Sequence, residues 1–521
     1  MDKLFLSFFT SFFLISSLNV VHAATPITSC TQTPYPETCA HYMENNFLAT
    51  LKLDRTQFSF HDLTLKVASD QAVQAHQLIS TMDLSSFNEH AKLAWTDCLE
   101  LYEDTANQLN RSMSSSNPVD SVTWLSAAIA NQQTCENGFT DFNLRSHLES
   151  LPLMLTNFSQ LLSNSLAVTQ STVQPYAATK VGGRRLLADE FPSWISAADR
   201  RLLQAAPKGD IVVAQDGSGN YRTISEGVAA AAKRSGGKRV VIYVKKGVYK
   251  ENVEIKKTVK NIMLMGDGID ATIVTGNKNA NDGSTTFRSA TFAVSGAGFI
   301  ARGMTFENTA GPQKHQAVAL RSGSDFSVFY GCSFKGYQDT LYVYSQRQFY
   351  KNCDIYGTQD FIFGDAVAVL QSCSIYIRKP LSNQWNTVTA QGRKDPNENT
   401  GIIIHNSRVT AASDMRGVGS TQNYLGRPWQ KYSRTVFMKC TIDGLINPAG
   451  WLPWSGNFAL STLYYGEYMN TGSGASTSGR VKWPGYHVIK SPTEAGKFTV
   501  GNFLAGNSWI PATGVPFDAG L

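Results

Sequence analysis

The chain has 521 residues, which is too long for one ordinary hydrophobic core and fits two or three domains. Hydrophobic residues make up 42% and charged residues 17% of the sequence, which excludes an intrinsically disordered chain. The net charge of +6 is uneven, because residues 1–203 carry −7 and residues 204–521 carry +13. This asymmetry predicts that the two parts attract each other and that the basic part binds a polyanion, either a nucleic acid or an acidic polysaccharide.

Residues 1–23 have the pattern of a secretory signal peptide. A lysine precedes an apolar run from Leu4 to Leu18, and small residues up to Ala23 suit a signal peptidase. The run is too short for a membrane span. We therefore expect a secreted protein that has no contact with a membrane once the signal is removed.

Residues 24–175 have apolar side chains at helical spacing, and Asn117-Pro118 separates two such segments. The segment lengths predict an all-α four-helix bundle. Four cysteines allow three pairings, of which a short staple and a link between helices are favoured. The favoured pairs are Cys30–Cys39 and Cys98–Cys135. Asn110 and Asn157 each begin an Asn-x-Ser sequon and are candidate glycosylation sites.

A linker follows at residues 176–203. It contains the tetrapeptide Arg-Arg-Leu-Leu twice, at 184–187 and at 200–203. Paired arginines at a change of composition in a secreted protein predict cleavage by a processing protease, although a solvated charge cluster would have the same composition. Cleavage after Leu203 would leave a mature chain of residues 204–521.

Residues 204–521 consist of short β-rich runs separated by Gly, Asn and Asp. One strand pattern recurs around Cys332, Cys353 and Cys373, which are 21 and 20 residues apart. This period without intervening helices predicts an all-β right-handed parallel β-helix. Cys353 and Cys373 would lie in one ladder of adjacent coils, within reach of a disulfide bond, and Cys332 competes for either position.

The same period carries polar residues: Gln316, Gln338 and Asp360 are spaced by 22 and 22 residues, and Asp339 follows Gln338. On a β-helix these four side chains would share one face of three adjacent coils. Each alone fits a harmless polar residue at a strand end, but the four together do not. One carboxylate can act as a nucleophile while the other is a general acid, and the Gln amides can donate to an oxyanion.

Two further residues complete this predicted ester-cleaving site. Arg427 can hold a nucleophilic carboxylate ionised through a bidentate contact. Trp429 offers a flat face for a sugar ring. The predicted chemistry is acyl transfer from an ester.

These segments closely resemble the plant pectin methylesterases. The matching motifs are Gly247-Val-Tyr-Lys-Glu251, Gln316-Ala-Val-Ala-Leu320, Gln338-Asp-Thr-Leu341, Asp360-Phe-Ile-Phe-Gly364 and Leu425-Gly-Arg-Pro-Trp429. The front region is similar to the pectin methylesterase inhibitor family in its helical pattern with four cysteines, and the doubled tetrapeptide resembles that family's processing site.

The resemblance implies a role for each residue of the site. Asp360 would be the nucleophile, Asp339 the acid and then the base, and Gln338 the oxyanion donor. Gln316 would assist Gln338. Substrate would contact Thr286, Gln316, Arg427 and Trp429. It also implies that methyl-esterified pectin is the substrate, that the cell wall is the location, and that the chain's own pro-domain and separate inhibitor proteins are partners.

Other functions fit the sequence less well. A pectate lyase needs a cluster of acids for Ca²⁺, and the candidate site has too few, so we expect no metal and no cofactor. A glycosidase needs two carboxylates, but the paired Gln residues favour an oxyanion. A serine esterase needs Gly-x-Ser-x-Gly, which is absent from the sequence. A pure inhibitor would not need the intact motifs of the back region, and we expect no nucleic-acid partner.

Overall fold

The computed structural model describes residues 25–44, 48, 51, 57–144, 146, 152–173, 209–234, 237–418 and 421–521. The predicted signal peptide and the linker with both Arg-Arg-Leu-Leu tetrapeptides lie outside the described residues. Within these ranges, no helix is both long enough and apolar enough to cross a membrane.

The front region is a helical bundle, as predicted. Its helices are α1 (Pro36–Tyr42), α2 (Phe60–Ser80), α3 (Glu89–Ser114), α4 (Pro118–Asp141) and α5 (Pro152–Ser171). Polar side chains cap the starts of the long helices. Ser59 accepts from the Asp62 amide before α2, Asn88 accepts from the Ala91 amide before α3, and Asn117 precedes α4 with Pro118 as its first residue. The apolar faces of α2 to α5 meet in a core that contains Leu65, Leu101, Leu125 and Leu162.

Two disulfide bonds tie the bundle together. Cys30 and Cys39 link the first turn of the described chain to α1, with Cα atoms 5.3 Å apart. Cys98 on α3 is bonded to Cys135 on α4, with Cα atoms 4.5 Å apart. The sequon residue Asn110 is exposed on α3, and Asn157 is half-buried on α5.

The back region is a right-handed parallel β-helix of three sheets, whose strands are numbered β1 to β26 in chain order. Sheet A contains β1 (Ile211–Val213), β2 (Val240–Val244), β5 (Ile262–Gly266), β8 (Ile300–Arg302), β11 (Ser327–Tyr330), β14 (Arg347–Lys351), β17 (Val367–Gln371), β20 (Gly401–His405), β23 (Arg434–Met438), β25 (Tyr464–Tyr468) and β26 (Tyr486–Val488). Sheet B contains β3 (Gly247–Lys250), β6 (Thr272–Gly276), β9 (Thr305–Asn308), β12 (Ser333–Lys335), β15 (Asp354–Gly357), β18 (Ser374–Ile377), β21 (Arg408–Ala411) and β24 (Thr441–Ile442). Sheet C contains β4 (Val253–Ile255), β7 (Phe292–Val294), β10 (Leu320–Ser322), β13 (Leu341–Val343), β16 (Ile362–Gly364), β19 (Asn386–Gln391) and β22 (Asn423–Gly426).

Helices cover parts of the β-helix. Helix α6 (Ile224–Ala232) begins with a capping box from Thr223 and Glu226 and packs on β1, β2 and β4 at one end. It thereby covers the apolar end of the core, while Asn220 and Tyr221 hydrogen-bond to the outer edge of β1. Two short helices, α7 (Pro492–Gly496) and α8 (Val500–Phe503), lie near the C-terminus. Short 3-10 helices occupy Cys30–Gln32, Phe287–Ser289, Pro312–Lys314, Ser413–Met415, Gly506–Ser508 and Ile510–Thr513.

The predicted cysteine ladder is present, but the predicted Cys353–Cys373 disulfide is wrong for this structure. Ser333, Asp354 and Ser374 pair in successive strands of sheet B, so the cysteines that precede them stack in register. Cys332, Cys353 and Cys373 are buried free thiols. The Cys353 thiol lies 3.3 Å from the Phe329 carbonyl, to which it can donate. The thiols of Cys353 and Cys373 each lie within hydrogen-bonding distance of a backbone carbonyl of the preceding coil, and the sulfurs stack beside one another without a bond.

The bundle packs against sheet C. Apolar side chains of α2 to α5 share one core with Phe287, Tyr342, Tyr344, Phe363 and Ala390 of the β-helix. Ion pairs surround this contact. Arg111 of the bundle pairs with Asp325 of the β-helix at 3.2 Å. In five others among the described residues the acid comes from the bundle and the base from the β-helix. The pairs are Asp97–Arg288, Glu100–Arg288, Asp104–Lys257, Asp120–Arg347 and Glu136–Lys394.

Candidate active site

The seven residues predicted from the sequence to act on substrate or bind it all line one cavity of about 350 Å³ on the outer face of sheet C. They are Thr286, Gln316, Gln338, Asp339, Asp360, Arg427 and Trp429. Successive coils bring them together, because the residues that precede β10, β13 and β16 lie side by side when those strands pair in parallel.

Asp339 and Asp360 occupy equivalent positions on adjacent coils. Leu341 pairs with Ile362, and each aspartate lies two residues before one of these strand residues. Both aspartates have left-handed backbone conformations, with φ of 61° and 52°. Such angles are uncommon outside glycine and are tolerated best by Asp and Asn, so this turn suits an aspartate. Adjacent coils repeat every 21 residues here, so Asp339 is the residue equivalent to Asp360. Gln338, which the 22-residue spacing in the sequence aligned with Asp360, is one residue out of register with it.

Asp360 is held in place by hydrogen bonds from an arginine and a threonine. The Arg427 guanidinium donates through Nε to Oδ1 at 2.9 Å and also contacts Oδ2. The Thr387 hydroxyl, on the next coil, donates to Oδ1 at 2.6 Å. Asp360 is 5% exposed, so this ion pair is shielded from water. A fixed, hydrogen-bonded carboxylate with one face toward a cavity has the geometry of a nucleophile.

Asp339 has the opposite environment. Its pKa is raised well above the usual value by burial, then by the negative charges of Asp360 and Asp141, against the opposing effect of Arg427. The two carboxyls on neighbouring coils therefore have different surroundings: one is paired with an arginine, and at the other burial disfavours the charged form. A protonated carboxyl facing a cavity can donate a proton to a leaving group.

The two glutamines reach the same cavity from neighbouring coils. Gln338 is 8% exposed, and its side-chain Oε1 has no hydrogen-bond partner in the described part of the chain. Gln316 is half-buried, and its backbone carbonyl accepts from the Ala280 amide at 2.9 Å. The Gln338 Oε1 can accept from a group that enters the cavity, and the NH₂ end of the same amide is the part that can donate to an oxyanion.

Several residues of the site were not identified from the sequence. Thr387 orients Asp360. The Arg427 guanidinium stacks on Trp454, with its Cζ 4.2 Å from the centre of the Trp454 ring. Tyr342 and Phe363 form the floor of the cavity, with ring centres 4.2 Å apart. Tyr342 directly follows one matched motif and Phe363 lies within another, so the motifs could have indicated both. No sequence pattern indicated Thr387 or Trp454, because their contacts depend on the register of distant coils.

Helix α4 of the bundle closes the cavity from outside. Its residues Thr134, Asn137, Gly138, Thr140 and Asp141 line the same space as the aspartates. The Thr286 hydroxyl donates to the Asp141 carboxylate at 3.0 Å, and the Tyr344 hydroxyl donates to Asn131 at 2.6 Å. Burial raises the pKa of Asp141. In this arrangement a polymer cannot lie along the cleft while the bundle is docked.

Comparison with known proteins identifies both parts. Residues 210–507 match the family model "Pectinesterase", and residues 25–168 match "Plant invertase/pectin methylesterase inhibitor". The "Probable pectinesterase/pectinesterase inhibitor 6" of Arabidopsis thaliana is 59% identical over 95% of this chain and 94% of its own. "Pectinesterase 2" of Citrus sinensis is 54% identical over 94% of each chain.

Solved structures agree with the fold of the back region. The pectin methylesterase from carrot is 60% identical, with a TM-score of 0.60, and the match covers 61% of this chain and 99% of that one. The pectin methylesterase from Aspergillus niger is 32% identical, with a TM-score of 0.51, over 59% of this chain and 97% of that one. The relatives in both comparisons are esterases of one family, and the chain belongs to the pectinesterases, carboxylic ester hydrolases, with an inhibitor-type domain in front of its catalytic domain.

Proposed function

We propose that the mature chain hydrolyses methyl esters of pectin with Asp360 as nucleophile and Asp339 as acid and base. The observation that carries this assignment is the contrast between the two carboxyls. Arg427 pairs with Asp360, whereas burial raises the pKa of Asp339. Pectin is the substrate class named for the relatives, and a polyuronate suits the basic back region.

The first half of the reaction forms an acyl-enzyme. An oxygen of the Asp360 carboxylate attacks the ester carbonyl carbon, and the electron pair of the C=O bond moves to its oxygen. The amide groups of Gln338 and Gln316 donate to that oxyanion. The intermediate collapses, the bond to the methoxyl oxygen breaks, and Asp339 protonates this oxygen so that methanol leaves.

The second half regenerates the enzyme. Asp339, now ionised, removes a proton from water while the water oxygen attacks the substrate's acyl carbon. The bond to Asp360 breaks, which releases a galacturonate carboxylic acid and restores the Asp360 carboxylate. Thr286 and Trp429 hold the sugar beside these groups, and Arg427 fixes the nucleophile.

Methanol release tests this activity directly. The mature chain is expected to liberate methanol from methyl-esterified pectin and to leave the glycosidic bonds intact. Unsaturated chain ends in the products would indicate a lyase instead, and a rise in reducing ends without methanol would indicate a glycosidase.

We further propose that the docked bundle holds the precursor inactive and that docking weakens as pH rises. Burial raises the pKa of Asp141, and also that of Asp97 despite Arg288. A carboxyl whose pKa is higher in the docked state favours docking at low pH. The advantage is lost as pH rises from its ordinary pKa through the raised one, and Asp97 contributes most because it must then ionise in a buried contact, whereas Asp141 lies at the exposed rim.

The measurement is the affinity of the separate bundle for the mature enzyme by calorimetry, with methanol release recorded in parallel. We expect tighter binding at pH 5 than at pH 7, and lower specific activity for the precursor than for the mature form. The double variant Asp97→Asn, Asp141→Asn should bind with less dependence on pH. Equal activities of precursor and mature enzyme would leave the bundle only a folding or export role.

The domain boundaries lead to a third proposal, that a protease separates bundle and enzyme after Leu203 in the secretory route to the cell wall. The charge and composition change at this point. Changing both arginine pairs of the linker, at 184–185 and 200–201, to alanine should keep the full precursor intact, as seen by mass and N-terminal sequence. A double variant that still reaches the cell wall at mature size would contradict the assigned sites.

A further inference from the structure

The coil after that of Asp360 has a threonine at the position where the two coils before it have aspartates. Ile362 pairs with Thr389 in sheet C, and Asp360 and Thr387 each lie two residues before one of these strand residues. Asp339, Asp360 and Thr387 therefore form one ladder across three adjacent coils. Thr387 is 0% exposed and does not line the active-site cavity, so it can affect the reaction only through Asp360.

The Thr387 hydroxyl forms two hydrogen bonds to Asp360. It accepts from the Asp360 backbone amide at 2.9 Å and donates to the carboxylate Oδ1 at 2.6 Å. A hydroxyl can do both, because it has one donor and two acceptor lone pairs. The amide belongs to the left-handed turn, with φ of 52°, and the carboxylate is the reacting group. One side chain thus fixes both the backbone and the side chain of the nucleophile.

The two oxygens of the Asp360 carboxylate are occupied unequally. Oδ1 accepts from the Thr387 hydroxyl and from the Arg427 Nε at 2.9 Å, which matches the two lone pairs of a carboxylate oxygen. Oδ2 contacts Arg427 alone, through Nη2 and, at 3.1 Å, through the Nε that already donates to Oδ1. Oδ2 therefore keeps a lone pair for a group that enters the cavity.

We propose that Thr387 is a positioning residue that turns Asp360 so that Oδ2 attacks the ester. The proposal rests on pectin methyl ester hydrolysis by Asp360 as the proposed function. The new bond joins Oδ2 to the acyl carbon, and the electron pair of the ester C=O bond moves to its oxygen. The bond to the methoxyl oxygen then breaks, and this oxygen takes the proton of Asp339. Oδ1 becomes the carbonyl oxygen of the acylated aspartate.

The same contacts act when the acyl-enzyme is hydrolysed. Oδ1 stays beside the Thr387 hydroxyl and the Arg427 Nε while Oδ2 is acylated. When water attacks the substrate's acyl carbon, the bond to Oδ2 breaks and its electron pair returns to a carboxylate whose charge Oδ1 shares. Donors that are already in place at Oδ1 stabilise this charge without reorganisation. Thr387 should therefore contribute to kcat rather than to binding of the ester.

The test replaces Thr387 in the mature domain, residues 204–521. The carrot structure shows that this domain folds without a bundle in a relative, because a match to 61% of this chain covers 99% of that one. Thr387→Val keeps the shape of the side chain and removes the hydroxyl. Its kcat for methanol release from methyl-esterified pectin should fall roughly 10- to 100-fold with KM nearly unchanged, the scale of a misplaced reacting group. Thr387→Ser keeps the hydroxyl and should recover most of this loss.

The matched control is Thr272→Val on β6 of sheet B. Thr272 is also 0% exposed, and its hydroxyl likewise accepts from a backbone amide, that of Asp267 at 2.9 Å. It donates to the Val244 carbonyl at 3.2 Å, and it lies outside the cavity lining. This variant loses the same number of buried hydrogen bonds, so its thermal unfolding should fall about as much as that of Thr387→Val. Its kcat should stay at the wild-type value.

The outcomes separate this proposal from the proposed function. If the wild-type domain releases no methanol, the proposed function fails. If the wild type is active and Thr387→Val keeps its kcat, or raises KM alone, only the positioning role is wrong. An equal loss of kcat in Thr272→Val would assign the effect to stability. A Thr387→Ser enzyme as slow as Thr387→Val would show that the hydroxyl is not the cause, and either result would overturn the proposal.

Discussion

Asp360→Asn should abolish turnover while the domain folds normally. Asn has the same size and tolerates the left-handed backbone at this position, where φ is 52°. Its neutral amide, however, cannot attack an ester carbonyl, and Arg427 then loses its anionic partner. The expected loss in kcat is on the order of 10⁶-fold, the scale seen when a catalytic nucleophile is removed.

Asp270→Asn is the matched control. Asp270 also has a left-handed backbone, with φ of 64°, but its side chain is 59% exposed and pairs with Lys335 outside the active-site cavity. This variant should keep wild-type methanol release, and both variants should show thermal unfolding close to that of the wild type. An active Asp360→Asn enzyme would show that another group attacks the ester.

Turnover in ¹⁸O-labelled water distinguishes two ways in which a carboxylate could cleave this ester. Attack at the carbonyl carbon puts the label in the pectate carboxylate and leaves the methanol unlabelled. Attack at the methyl carbon, followed by water at that carbon, would label the methanol. Labelled methanol would therefore overturn the proposed acyl-enzyme even if Asp360 proved essential.

The β-helix could be predicted because its coils repeat the same local pattern. The strands around Cys332, Cys353 and Cys373 have the same order of apolar and polar residues, and parallel pairing in register follows from that repetition. The disulfide could not be predicted correctly from the same spacing. Stacked positions fix the distance between Cα atoms but not the direction of the thiols, which point in parallel toward backbone oxygens.

The composition of the active site could likewise be predicted, but not its whole geometry. Short motifs located Asp339, Asp360 and Arg427, because each motif contains both the functional residue and the strand that positions it. Thr387 hydrogen-bonds to Asp360 from 27 residues away, and no local pattern indicates that contact.

The opposite charges of the two halves predicted attraction, but net charge does not locate an interface. That α4 covers the aspartates, and that Asp97 reaches Arg288, depends on the shape of both surfaces. The structure thus adds the position of the bundle to what composition alone indicated.

Gln338→Ala should lower kcat about 100- to 1000-fold, the usual effect of losing one oxyanion donor. Gln338 lines the cavity beside both aspartates, and the NH₂ end of its amide is the group that can donate to an oxyanion there. Its donation gains strength only when the carbonyl oxygen becomes negatively charged. The loss should therefore fall on kcat, with KM nearly unchanged.

The matched control for this variant is Gln313→Ala. Gln313 is exposed on the 3-10 helix Pro312–Lys314, outside the cavity lining, and its truncation should leave both kinetic constants at wild-type values. Gln316→Ala should show a smaller loss of kcat than Gln338→Ala, because Gln316 is proposed only to assist Gln338. A rise in KM with unchanged kcat in Gln338→Ala would assign this residue to ground-state binding, since a group that binds ester and transition state equally cannot accelerate the chemical step.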